Sequence, residues 1–157
     1  AHDIQPVADV QNEYSLLWRG PEKEELSIFE ELGIGLVAWS PLGLGFLTRT
    51  INENTMFDGS GNADYRLTNP RFAPDALKAK MVLVDLLRQW ARRKEVTPTQ
   101  IALAWLLADP LVTSPIIGAN TPEQLKDSLG AVHVQLTPAE KSILDKKTAW
   151  EDEDVDD

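Results

Sequence analysis

A continuous apolar run, Ile34 to Trp39, is stopped by Ser40-Pro41 and followed by a loop that holds Gly43 and Gly45. No other stretch constrains the fold as tightly. A short apolar run bounded by turn residues reads as a strand buried on both faces, the pattern of a parallel sheet. A helical pattern from Glu22 to Leu32 precedes it, with apolar positions at Leu26, Phe29 and Leu32 and a helix-stopping Gly33. In barrels and open α/β sheets, ligands gather where such strands end at their carboxyl side. Trp39-Ser40-Pro41-Leu42-Gly43 therefore occupies a ligand position, offering a flat ring, a hydroxyl and open glycine backbone.

The flanking segments repeat the strand and helix alternation. Val7 to Gln11 reads as a short strand ending in Gln11-Asn12-Glu13, and Ser114-Pro115-Ile116-Ile117-Gly118 as another. Gly20-Pro21-Glu22 starts a helix, with proline in its first turn and an acid at its positive end. Leu77 to Lys94 is an amphipathic helix whose apolar side is Met81, Leu83, Val84, Leu87, Trp90 and Ala91. Thr97-Pro98-Thr99-Gln100 has the form of a capping box and opens the helix Ile101–Leu107. Thr121-Pro122-Glu123-Gln124 repeats it before a helix ending at Leu129, and Thr137-Pro138-Ala139-Glu140 does so a third time. Trp90 and Trp105, on helical stripes, read as packing residues. Residues 44–75 are long, polar and turn-rich, a length that marks a functional or mobile loop. The order strand, helix, strand, loop, helices, strand, helix, helix gives an α/β fold with a parallel sheet.

Composition narrows the function classes. A chain of 157 residues suffices for one domain with a real core. The net charge of −10 argues against nucleic acid, whose phosphates require basic patches. Much of that charge lies in Glu151, Asp152, Glu153, Asp154, Asp156 and Asp157, read as a disordered acidic tail over 151–157 behind a domain of residues 1–150. With no cysteine, disulfides and thiolate metal sites are excluded. His2 and His133 lack metal-ligand spacing. No apolar stretch approaches the roughly 20 residues a membrane span needs. The polar start Ala1-His2-Asp3-Ile4 is not a signal peptide, and the absence of methionine there points to a processed or partial chain. A cytoplasmic protein with no membrane partner is expected. Gly43-Leu44-Gly45 lacks the third glycine of the dinucleotide-binding fingerprint, and no spaced acid pair suggests a hydrolase.

Three strand ends carry polar ligands at comparable positions: Gln11, Trp39-Ser40 and Gly118-Ala119-Asn120, the last before a helix N-terminus that can hold a phosphate. Taken alone, Trp39 reads as core, Gln11 as a satisfied amide and Arg71 as a solvated loop cation. Together, an aromatic face, an amide, a serine and a helix N-terminus suit a dinucleotide.

At these residues the chain resembles the aldo-keto reductase family. The matching segments are Val10-Gln11-Asn12-Glu13-Tyr14-Ser15-Leu16, Ala38-Trp39-Ser40-Pro41-Leu42-Gly43-Leu44-Gly45-Phe46-Leu47-Thr48, Asn69-Pro70-Arg71-Phe72, Ala102-Leu103-Ala104-Trp105 and Pro115-Ile116-Ile117-Gly118. Glu123-Gln124-Leu125 and Leu129-Gly130-Ala131 follow in family order. Tryptophan at position 39 points to the branch that includes bacterial and fungal members and potassium-channel β-subunits. The resemblance implies a (β/α)8 TIM barrel that binds NADP(H) and reduces aldehydes or ketones to alcohols. It covers the C-terminal half only, with the three strands as the last three of the barrel. The family's catalytic tyrosine, lysine, aspartate and histidine then belong to the other half, so no catalytic residue is assigned here and the chain alone is expected to be inactive.

Residue by residue, the resemblance implies that Gln11 binds the nicotinamide carboxamide and Trp39 stacks on its ring. Ser40, Leu42 and Gly43 line the pyrophosphate path, and Arg71 covers the phosphates. Gly118, Asn120 and Gln124 hold the adenosine ribose and its 2′-phosphate, and Asp127 faces the adenine. Asn120 and Ser128 depart from the family pattern and imply weakened adenosine contacts. The implied partners are the other half of the barrel or a second copy of the chain, with a small carbonyl compound as substrate. The rival reading is a nonenzymatic regulatory or interaction protein that kept part of the barrel.

Overall fold

The computed structural model describes residues 4–48 and 69–148. The acidic tail and residues 49–68 of the long loop lie outside the described residues, as does the side chain of Arg71. Along the chain run β1 (Asp9–Glu13), α1 (Glu25–Leu32), β2 (Gly35–Trp39), α2 (Pro74–Lys94), α3 (Pro98–Leu107), β3 (Val112–Pro115), α4 (Pro122–Leu129) and α5 (Pro138–Lys147). Short 3₁₀ turns cover Gly20–Glu22, Pro70–Phe72 and Gly130–His133.

The three strands form one sheet in the order β1-β2-β3, and both pairings are parallel. Parallel neighbours require a crossover, which α1 supplies between β1 and β2 and the pair α2 and α3 between β2 and β3. Asp9 pairs with Gly35, Gln11 with Val37 and Glu13 with Trp39. A register irregularity falls between Leu36 and Val37 on the β3 side, after which Val37 pairs with Ser114 and Ala38 with Pro115.

Strand alternation divides the sheet into two unlike faces. Leu36 and Ala38 are fully buried and join the core built with the helices. On the opposite face Gln11 and Trp39 are exposed and Val37 is half-buried. The expectation that Ile34–Trp39 is buried on both faces is thus corrected. Helices cover one face, and among the described residues no further layer covers the other.

α3 lies deepest. Every residue from Ile101 to Leu106 is buried, so this helix is apolar all round rather than amphipathic. α2 presents Met81, Val84, Leu87, Trp90 and Ala91 to it as a buried stripe. The capping boxes at Thr97 and Thr137 form as expected, with Gln100 and Glu140 reaching back to the cap N–H.

Several boundaries differ from the sequence expectation. β1 is displaced two residues towards the C-terminus, so Gln11 is its middle residue rather than its end. β3 is displaced two residues the other way, leaving Ile116 to Gly118 beyond the strand. In both cases pairing with β2 sets the limits, which local composition does not encode. Gly20-Pro21-Glu22 makes a 3₁₀ turn, and the α-helix begins only at Glu25. Gly33 stops that helix with a left-handed φ of 66°. Leu32, expected on its buried stripe, is exposed.

Candidate functional site

The loop after β2 is built by tight turns. The Gly43 N–H donates to the Ser40 carbonyl at 2.9 Å, and the N–H groups of Gly45 and Leu47 both donate to the Leu42 carbonyl at 3.1 Å. This path requires left-handed backbone at Ser40, Gly43, Leu44 and Gly45. Gly43 cannot be replaced freely, because a Cβ there would collide with Cδ1 of Leu17. Its role is to let the turn close onto the β1 connection. It is itself buried, under the turn and away from the main groove.

At the carboxyl ends of the strands this turn faces the N-terminal part of α4 across a groove of about 770 Å³, a volume suited to a small-molecule or cofactor ligand. Trp39, Ser40 and Leu42 line one wall, and Gly118, Asn120, Gln124 and Asp127 the other. Seven of the ten residues singled out in the sequence therefore meet in one depression. Gln11 stands outside it on the open sheet face, diagonal to Trp39 through the Gln11–Val37 and Glu13–Trp39 pairs. The backbone of Arg71 belongs to the Pro70–Phe72 turn.

The groove is furnished for a polar ligand with a planar part. Trp39 is 42% exposed although it ends an apolar strand, so one ring face is open. The Ser40 hydroxyl oxygen is shielded from solvent and has no hydrogen-bond partner among the described residues. A buried hydroxyl left unpaired is unfavourable, and a ligand oxygen would relieve it after a small rotation about the side-chain bond.

Thr99, Ile116, Glu123 and Ser128 also line the groove. Ser128 is a position the resemblance ties to the adenosine contacts, whereas sequence reasoning gave Thr99, Ile116 and Glu123 no place in the site. Thr99 comes from the buried α3 and Ser128 is the buried residue of the otherwise largely exposed α4, and the packing of these two helices brings them together. Gln100 fixes that arrangement. Its Oε1 accepts from the Thr97 N–H at 3.2 Å, while its Nε2 donates to the Asp127 carbonyl at 2.8 Å. One side chain thus caps α3 and ties down α4. At Thr121 the expected capping box is half made. Thr121 Oγ1 accepts from the Gln124 N–H, but Gln124 Oε1 accepts from the N–H of Asn120 instead of Thr121.

Behind the sheet, away from the groove, a second polar cluster locks the helices. The Trp105 Nε1–H donates to Asp145 Oδ1 at 2.6 Å. Arg19 and Lys141 lie 5.6 Å and 5.3 Å from the Trp105 ring. Arg19 also bonds both carboxylate oxygens of Glu22 and the Asp145 carbonyl. The Tyr14 hydroxyl donates to Glu22 at 2.7 Å. Burial and then the Glu22 carboxylate push the Tyr14 phenol well above its usual range, so it stays protonated and donates. Trp105 is more than the packing residue its stripe suggested.

A parallel three-stranded sheet with a groove at its strand ends agrees with the family model that matches the chain. The aldo/keto reductase family model covers residues 1–149. The chain belongs to the aldo/keto reductase family. Two solved members of similar fold show how much of the architecture is present. A glycerol dehydrogenase from Gluconobacter oxydans is 26% identical, with a TM-score of 0.79 over 92% of this chain and 43% of its own. A thermostable aldo-keto reductase solved with the inhibitor epalrestat is 28% identical, with a TM-score of 0.58 over 88% of this chain and 39% of its own. The chain therefore spans less than half the length of these family members, and the three strands and five helices of its described residues form part of a TIM barrel. Among the described residues no helix is long and apolar enough to cross a membrane, and no cluster of potential ligands could hold a metal ion.

Proposed function

We propose that this chain is the dinucleotide-binding portion of an aldo/keto reductase that reduces aldehydes or ketones to alcohols, and that it supplies the last three strands of the barrel. The observation that carries this reading is the convergence of Trp39, Ser40, Gly118, Asn120, Gln124 and Asp127 on one groove at the carboxyl ends of the strands. A nicotinamide dinucleotide bound there, NADP(H) being the family's general cofactor, supplies hydride to a carbonyl carbon.

The chain's own residues do the holding. The open ring of Trp39 stacks against a flat heterocycle and fixes its tilt. Gln11, on the same sheet face, offers an amide to a carboxamide. Ser40, Leu42 and the Gly43 turn shape the path for the pyrophosphate, and Arg71 follows in the same loop connection. Gly118, Asn120 and Gln124 carry the sugar end. The proton donor of the reduction lies in the part of the barrel that this chain does not match, and the open sheet face carrying Gln11, Val37 and Trp39 is where that part, or a second copy, docks. A second reading, a nonenzymatic interaction protein, draws on the same open face; it predicts partner binding without dinucleotide affinity.

Calorimetric titration of the chain with reduced dinucleotide tests the proposal. Binding that is weakened by both Trp39→Ala and Gln124→Ala supports it. Binding unaffected by either substitution, or partner capture with no dinucleotide binding, contradicts it.

A further inference from the structure

We infer that Leu44 and Ile116 flank Trp39 and complete an apolar seat for the nicotinamide ring of the bound dinucleotide. The inference rests on the dinucleotide reading above and adds to it two residues to which the sequence assigned no binding role. Two irregularities of the backbone converge on Trp39 and carry it.

The first is on the β3 side. Leu36 pairs with Val112 but Val37 with Ser114, so Thr113 is an extra residue in β3. Gly35 makes room for it, since a Cβ there would collide with Oγ1 of Thr113. A bulge of this kind re-aims the side chains that follow it. With an uninterrupted register Pro115 would stand beside Trp39. Instead Pro115 pairs with Ala38, and the Ile116 N–H donates to the Ala38 carbonyl at 2.7 Å. The next step of the ladder sets Ile116 beside Trp39, on the face that the helices do not cover.

The second is on the β1 side. Leu44 holds a left-handed φ of 56°, a conformation unfavourable for a residue with a Cβ. Such outliers cluster at ligand clamps and active sites. Leu44 borders both the groove and a small depression that contains Glu13, the residue paired with Trp39. The strained turn thus delivers a second apolar side chain to the other flank of the ring.

The result is a groove with two unlike ends. Trp39, Leu44 and Ile116 are 42%, 37% and 44% exposed, and all three line it. Asn120, Gln124 and Asp127 line its other end. Large apolar side chains gathered in water at one end of a polar groove match a flat, largely apolar part of a ligand. Gln11, on the same sheet face as Trp39, offers its amide to a carboxamide on that part, which favours nicotinamide over adenine here.

The test compares two ligands on the full chain: NADPH, and 2′-phospho-ADP-ribose, which is the same molecule without its nicotinamide. Both are titrated calorimetrically into the wild type, Leu44→Asn and Ile116→Thr. Asparagine tolerates left-handed backbone and threonine keeps the β-branched shape of isoleucine, so both variants should fold, as circular dichroism checks. Each should weaken NADPH binding about fivefold and leave the affinity for 2′-phospho-ADP-ribose unchanged. NADPH bound to the wild type should fluoresce at shorter wavelength than free NADPH, and that shift should shrink in both variants. A loss shared equally by the two ligands, or no loss for NADPH, overturns the inference and leaves the dinucleotide reading standing. Binding of neither ligand to the wild type overturns both.

Discussion

Glu13 stands directly opposite Trp39 in the parallel pairing of β1 with β2. The pair places the indole at the carboxyl end of the sheet on the face that helices do not cover, so the ring is free for a ligand rather than committed to the core. Trp39→Ala should therefore change stability by less than about 1 kcal/mol while weakening dinucleotide binding about tenfold. Thermal unfolding and titration of the same sample check both halves. A large stability loss with unchanged affinity would assign Trp39 to packing.

Trp105 behaves in the opposite way. It is 1% exposed, and its Nε1–H is committed to Asp145. Trp105→Phe keeps an aromatic ring but takes from Asp145 Oδ1 its short bond, leaving it the longer one from Lys141 at 3.5 Å, at a cost of about 1 kcal/mol. Trp105→Ala also opens a cavity and should lose about 3–5 kcal/mol. Urea unfolding measures both. Since Trp105 is outside the groove, the dinucleotide affinity of the Phe variant should match that of the wild type.

Gly43→Ala tests the turn. The left-handed backbone at φ 55° disfavours any side chain, and the new methyl meets Leu17. The expected loss is about 1–2 kcal/mol. Adding Leu17→Ala relieves the collision but not the backbone strain, so the double variant should not regain the strain part of that loss. An unchanged midpoint for Gly43→Ala would contradict the turn geometry.

The pairing of Lys94 with Glu140 predicts an acid-sensitive contact. The Lys94 ammonium, 2.9 Å from Glu140 Oε1, and then the Thr137 N–H hold the Glu140 carboxyl below its usual range. A carboxyl whose folded value is depressed stabilises the fold fully above its unfolded value of about 4.3. That contribution is lost as pH falls through the folded value. The pair is partly exposed and screened by solvent, so the effect is under about 1 kcal/mol. Glu140→Gln should lower stability at neutral pH and flatten the acid limb of the stability profile. An acid limb identical to wild type would show that the pair does not contribute.

Much of this was legible in the sequence because it is locally encoded. Gly33 at a helix end, the threonine caps at 97 and 137, and the apolar run before Ser40 each specify their structure through neighbouring residues. The limits of β1 and β3 were not legible, since Asp9 to Glu13 is polar and becomes a strand only by pairing with β2. Nor was the open face of β2, because an apolar strand looks alike whether one side or both are covered. In the groove, the loop residues were readable from their turn chemistry. Thr99 was not, since a helical hydroxyl becomes a groove wall only when distant helices pack side by side. Gln124 was read correctly as a helix-start residue, yet its side chain reaches one residue further back than a capping box requires.

The open face also carries a prediction about assembly. Gln11, Val37 and Trp39 present a sheet surface without a covering layer among the described residues. Such a surface favours association, so the chain should self-associate at low micromolar concentration or bind the remaining part of the barrel. Sedimentation velocity distinguishes these outcomes from a well-folded monomer, which would show that three strands and their helices suffice alone.

The central claim is that the groove at the strand ends holds a nicotinamide dinucleotide. Amide and indole NMR spectra recorded during a titration with NADH or NADPH test it most directly. The account predicts shifts concentrated at Trp39, Ser40, Gly118, Asn120, Gln124 and Asp127, with the Trp105 indole unmoved. No shifts at saturating dinucleotide, or shifts centred on Trp105 and Asp145, would contradict it.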